Sequence, residues 1–329
     1  ARFDAQGKGG IINISTKKSG ADGLSVSVNG LLGGAPWGNK TDKYDGYDLT
    51  DNRYGGGLNL VYRKENLTLY GGANYNYKNV NGLRVGDARL LQSNGSYYHM
   101  VADGERPEWY ENYSANFGVD YKLTEMSSIS ASYYYGNRTE GRSAFYVYNN
   151  FYGDVDKNPI EGIDSENHWI YNPNTDNRYG KFHTANVDLT QKFENKSKVT
   201  FSFLFEHSDL SRELDNQNFD FDKPSDEVGD LLLHFNQTDA TPLDGIRTSV
   251  EYEKEFDNES KLGLGFQPQF VSQKGGYNYD TLNVDNGEWG TSDKFNNDIE
   301  LSRAIYAGYA DYSGTFGDLS LIAGLRLEY

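Results

Sequence analysis

The sequence predicts an all-β protein, an antiparallel up-and-down sheet of the kind that closes into a transmembrane β-barrel. Three observations predict it. Apolar and polar residues alternate with a period of two along most of the chain. Tight turns and long polar connections follow one another in strict alternation. No stretch approaches the ~18 to 20 consecutive apolar residues that a spanning helix needs. A β-strand sends successive side chains to opposite faces, so each alternating segment lies between an apolar and a polar medium.

Taken in order, residues 9–18 read as a short strand after a Gly-rich turn. Ile11, Ile12 and Ile14 there do not alternate with polar residues, so this strand wants burial on both faces and belongs inside a barrel or at its mouth. About eleven strands follow, near 23–34, 53–63, 67–78, 111–123, 127–139, 180–193, 197–210, 245–256, 260–272, 303–315 and 319–329. Their apolar sets predict a lipid face that includes Leu69, Phe117, Val119, Val187, Leu189, Phe201, Phe203 and Leu325. The opposite sets predict a polar, lumen-facing surface that includes Asn74, Asn116, Asp120, Asp188, Ser202, Glu251 and Glu253. Residues 303–315 alternate less cleanly, because Tyr306, Tyr309 and Tyr312 fall on both faces.

The connections sort by length. Short turns are expected at 64–66, 123–126, 194–196, 257–259 and 316–318, and long loops near 35–52, 79–110, 140–179, 211–244 and 273–302. In an up-and-down sheet this puts all short turns at one end and all long loops at the other, the asymmetry of outer-membrane barrels. A soluble sandwich has no reason to sort its loops so strictly.

Composition supports a membrane interface and narrows the chemistry. The chain has 329 residues, no Cys and 27 Tyr, with aromatics at 15%. Excess Tyr suits surfaces with one apolar and one wet side. The absence of Cys excludes disulfides and thiolate metal sites. A formal charge of -17 argues against nucleic acid as a partner. His99, His168, His183, His207 and His234 are scattered without a ligand spacing, and no nucleophile elbow occurs. Gly55-Gly56-Gly57 opens no helix and therefore reads as a bend or a close backbone approach rather than a phosphate cradle. Residues 220–227 are oxygen-rich but lack the register of a Ca²⁺ loop, so an acidic solvated turn is the expectation. No cofactor, no metal site and no catalytic residue is expected.

Ala1-Arg2-Phe3-Asp4-Ala5-Gln6-Gly7-Lys8-Gly9-Gly10-Ile11-Ile12-Asn13-Ile14-Ser15-Thr16-Lys17-Lys18 resembles the end of the plug domain of TonB-dependent outer-membrane transporters. The residues that carry the likeness are Gly9, Gly10, Ile12, Asn13, Ile14, Thr16 and Lys17. Residues 304–309 and 323–329 look like mid-barrel strands of the same family, in its Bacteroidetes-type branch. The resemblance implies two regions, residues 1–20 as the end of a plug and 21–329 as the first half of a 22-stranded barrel. It implies a truncated chain, although Gly324-x-x-Leu327-x-Tyr329 also fits the terminal assembly signal of outer-membrane barrels.

The resemblance further implies localisation in the outer membrane of a Gram-negative bacterium and energy-coupled uptake of a solute, with no bond-making step. Implied partners are outer-membrane lipid, a TonB-type energy-coupling complex reached through the missing plug region, and a surface lipoprotein. Two other readings stand beside uptake. One is a non-transporting barrel that acts as adhesin or surface scaffold, and the other is a soluble all-β binding module. The plug-end motif separates the first from uptake, and the apolar face argues against the second.

Overall fold

The computed structural model describes residues 21–34 and 52–329, and the strands among them form one antiparallel sheet of 15 strands. The segment 9–18, with the whole plug-end motif, lies outside the described residues. In chain order the strands are β1 (Gly23–Gly34), β2 (Asn52–Lys64), β3 (Leu67–Val80), β4 (Leu83–Leu91), β5 (Tyr97–Glu105), β6 (Glu108–Lys122), β7 (Ser127–Gly153) and β8 (His168–Lys192). They continue with β9 (Ser197–Asp222), β10 (Glu227–Ala240), β11 (Leu243–Glu255), β12 (Lys261–Asn283), β13 (Glu288–Thr291), β14 (Asn297–Phe316) and β15 (Leu319–Glu328).

Eleven of these follow one another across the sheet, in the order β1-β2-β3-β6-β7-β8-β9-β10-β12-β14-β15. The eleven expected strands thus correspond to eleven positions, some of them subdivided. β5 and β6 pair with β7 in one register, Glu105 opposite Phe145 and Glu108 opposite Arg142. β4 carries on the register of β3 in the same way, and β11 carries on that of β10. Local chemistry makes the breaks, since Pro107 and Pro242 offer no N–H to the ladder. Neighbouring groups close the gaps. Arg106 N donates to Gly82 O at 2.7 Å, Ser143 N to Pro107 O at 3.1 Å and Thr241 N to Leu210 O at 2.8 Å. The end strands β1 and β15 do not pair with each other, so the sheet is an open wall over the described residues.

The long loops expected from sequence are corrected. β7 runs on to Gly153, β8 starts at His168, β9 reaches Asp222 and β10 starts at Glu227, so most of 140–179 and 211–244 is paired strand. Both hairpins project from the same end of the sheet. Outside a membrane both faces meet water, so the apolar–polar contrast fades while backbone pairing persists. Composition rich in Asn, Asp and Tyr then reads as loop when it is strand.

The tight turns have a shared construction. Phe193 N donates to Ser197 O and Phe256 N to Ser260 O, both at 2.9 Å, and Gln92 N donates to Ser96 O at 2.8 Å. In each turn an Asn side chain (Asn195, Asn258, Asn94) accepts from the backbone N–H of the Ser two residues on. The residue between them takes positive φ: Lys196 at 61°, Glu259 at 64° and Gly95 at 84°. This is a type I turn closed by a left-handed residue, a common hairpin solution.

The wall has almost no interior. Its buried apolar side chains are few and mostly small, such as Ala144 and Ala307. Large apolar residues are exposed instead, with Val28 at 75%, Phe117 at 58% and Leu325 at 64%. An apolar surface this continuous does not persist in water and requires an apolar medium against it.

Candidate functional site: the polar face of the wall

The register sorts every predicted face residue. Leu69 pairs with Val119, Val187 with Phe203, and Leu189 with Phe201, so these share one face. Phe117 and Leu325 reach the same face through Tyr133 and Ala310. On the other face Asn116 pairs with Gly72, Asp120 with Ser130, and Asp188 with Ser202. Asn74, Glu251 and Glu253 lie on that same polar face. Tyr306 and Tyr312 join the apolar face and Tyr309 the polar one, which explains the mixed pattern of 303–315.

The apolar face is bounded above by a row of rings. Tyr54 lies 6.2 Å from Tyr75, Tyr113 lies 6.1 Å from Tyr135, Tyr135 lies 5.0 Å from His183, and His183 lies 5.7 Å from His207. The row has polar anchors. His183 Nδ1 bonds the Tyr133 hydroxyl at 2.6 Å, and His207 Nδ1 bonds Asp244 at 2.7 Å. Near the short turns Tyr62, Tyr121, Phe193 and Phe256 are again exposed. From Tyr113 to Tyr121 is about 27 Å along a strand at ~3.4 Å per residue. Tilted by ~35–45°, that spans about 19–22 Å of height, most of the ~25 Å apolar band of outer-membrane barrels, which aromatic girdles flank on both sides.

The lower polar face is knitted across glycines. The ring of Tyr70 lies where a Cβ on Gly118 would stand and so reaches across β6 toward Ser132, the register partner of that glycine. Tyr309 likewise lies over Gly265, and its hydroxyl donates to Glu251. Arg326 stacks on Tyr309, 5.7 Å from its ring centre, and donates to Gln267 at 3.1 Å. Glu253 pairs with Lys198 at 3.0 Å, and Asp188 accepts from Asn186 at 2.7 Å. The predicted carboxylates are therefore engaged by neighbours.

Above them lies a hollow of about 360 Å³ lined by β3, β6, β7 and β8. Asn74, Asn76, Asn112 and Ser114 form one side, and Tyr134, Arg138 and Phe182 the other. Gly55 and Gly57 serve this site, since a Cβ on either would overlap the amide oxygen of Asn76 or Asn74.

The projecting hairpins carry a charge network that sequence reading missed. Asp176 is 1% exposed in its side chain. Arg212 grips it with two bonds, at 2.7 and 3.0 Å, and Arg142 contacts it at 2.6 Å. Arg178 lies at 3.6 Å and also reaches Glu140 at 3.5 Å, which pairs with Arg138. Burial alone would raise the Asp176 pKa, but the Arg212 hydrogen bond and the charges of Arg142, Arg212 and Arg178 outweigh it and hold the carboxyl below its ordinary range. Burial, with repulsion from Arg106, Arg178 and Arg212, lowers Arg142 despite Asp176. The signal was the two-residue spacing Arg138-x-Glu140-x-Arg142, which straddles the end of the expected strand 127–139 and the start of the expected loop 140–179. Nearby, Asn172 repairs a defect. Its amide donates at 2.7 Å to the carbonyl of Gln217, which the register sets opposite Pro173, a residue with no N–H to offer.

All five His residues lie in strands. His99 is fully buried and bonds the Asp154 carbonyl at 2.8 Å, and His234 bonds Asp215 at 2.7 Å. In the β9–β10 turn Asp222 accepts from Ser225 and Asp226 pairs with Lys223. No group of His, Asp or Glu fit for a metal occurs among the described residues.

One-sided apolar strands, paired girdles and a polar reverse face define an outer-membrane wall. Residues 191–329 match the outer membrane protein beta-barrel family. The chain is an outer-membrane β-barrel protein, located in the outer membrane of a Gram-negative bacterium. No curated protein and no solved structure matches it.

Proposed function

We propose that the protein takes up a solute across the outer membrane by energy-coupled transport of the TonB-dependent kind. The observation that carries this reading is the polar face, which runs behind the apolar band from the short turns to the projecting hairpins. A wall built only for anchorage has no need of the unpaired amides and glycine-cleared hollow on that face. The plug-end motif at Gly9–Lys17 supports the same reading, with a plug strand inside the barrel, a TonB-type complex as the energy source and a surface lipoprotein as a partner. No bond-making step is involved. The test compares solute accumulation in cells with the intact gene, without it, and without the inner-membrane coupling complex. Uptake that survives loss of the coupling complex excludes the proposal.

A second reading, an adhesin or surface scaffold, is favoured by one feature. β7, β8 and β9 extend well beyond the upper girdle, to Gly153, His168 and Asp222. This reading requires surface attachment that survives when uptake is blocked.

A further inference from the structure

We propose that the hollow on the polar face binds a neutral, hydroxyl-rich saccharide, one ring of which rests against Tyr134 and Phe182. The hollow offers about 360 Å³, within the ~300 to 1,000 Å³ usual for small-ligand sites. Its chemistry is set by primary amides. Asn74, Asn76 and Asn112 each present two donors and an acceptor, the complement of vicinal hydroxyls, which donate and accept from one carbon frame. None of the three side chains has a hydrogen-bond partner among the described residues. Elsewhere on the same face amides satisfy one another, as where Asn172 donates to Asn216, Asn218 and the Gln217 carbonyl. The contrast marks the hollow as a place where polar groups are held ready for something else.

The opposite wall is aromatic. Tyr134 is 43% exposed, and Phe182 lines the hollow beside it. An aromatic face packs against the C–H face of a sugar ring, while the edge hydroxyls point toward the amides. Charge sets the remaining limit. The only ionic group in the lining is Arg138, and Glu140, which it shares with Arg178, already holds its guanidinium. A uronate or sulfate would have to compete with Glu140, so a neutral saccharide fits best. The glycines of β2 belong to the design, because Gly55 and Gly57 leave the room into which Asn76 and Asn74 lean. In the uptake reading the saccharide is cargo, but its binding does not depend on that reading.

The test uses the full-length protein in detergent against a printed panel of neutral, uronate-bearing and sulfated oligosaccharides, followed by calorimetry with the best neutral one. Binding of a neutral member, weakened at least tenfold in Asn74→Leu/Asn112→Leu and in Tyr134→Ala, is expected. Gly57→Val should weaken it as well, by displacing Asn74 from outside the hollow. Circular dichroism confirms that each variant folds. No binding on the panel, preference for acidic members, or affinity unchanged in all the variants would overturn the proposal. Uptake assays separate the two readings. A barrel that binds the saccharide yet imports nothing sinks transport alone, and one that imports another solute while ignoring every saccharide sinks this inference alone.

Discussion

Tyr309 on β14 reaches Glu251 on β11 by laying its ring over Gly265 of the strand between them. The contact depends on the absent side chain as much as on the two that touch. Tyr309→Phe should cost about 1 kcal/mol, the net worth of one hydrogen bond. Gly265→Val should cost more, about 2–3 kcal/mol, because it lifts the ring as well as breaking the bond. Urea unfolding in detergent measures both, and equal costs would show that the ring's seat is irrelevant.

Phe203 lies on β9 four residues below His207 of the upper ring row, well inside the apolar band. Phe203→Arg should destabilise by roughly 2–4 kcal/mol, the cost of a cation at the midplane of a barrel's lipid face. Asn116→Ala, on the polar face, should cost under about 1 kcal/mol. Refolding into lipid vesicles compares them, and similar losses would argue against the assignment of faces.

The girdle can be located by depth. A Trp placed at Phe117 should be quenched best by lipids brominated deep in the chain, and one at Tyr113 by lipids brominated near the headgroup. The native Trp109, higher on β6, should be quenched least by either. Any other order would shift the membrane relative to the wall.

The Asp176 network predicts an acid limb. Its pKa is depressed in the folded state, so its contribution to stability is complete above the unfolded value of about 3.9 and is lost as pH falls through the lower folded value. The opening free energy of the β7–β9 projections, read from hydrogen exchange after correction for the intrinsic rate at each pH, should therefore be level from neutral pH down to about 5 and fall below about 4. Asp176→Asn should weaken the projections by about 3–5 kcal/mol, because three arginines lose their shared anion, and should flatten the acid response. An unchanged acid profile in that variant would place the limb elsewhere.

Much of the wall was legible because lipid imposes a pattern. Where one face meets hydrocarbon, Val199-x-Phe201-x-Phe203 and Leu321-x-Ala323-x-Leu325 announce strand, face and register together. Above the girdle nothing imposes that contrast. There Phe145, Val147 and Asn149 share one face and Tyr146, Tyr148 and Asn150 the other, so strand pairing leaves no apolar rhythm to read. The Asp176 network was missed for the same reason. The hollow was hidden differently, since its lining residues lie on four strands and only the pairing of Asn74 with Ser114 and of Gly136 with Phe182 brings them together. Gly55 and Gly57 read from sequence as a bend or a close backbone approach, and it is side-chain amides that approach.

The shared register across Pro107 and Pro242 has a mechanical consequence. A load applied to the tips of the projections, by a tethered ligand or a neighbouring cell, runs along strands that continue in step through the bilayer. Their interstrand bonds lie across that load and must yield together, in shear. A hinge at either proline would instead let them peel one at a time. The crown and the membrane wall thus act as a single stiff plate, and what tugs on one is felt at the other.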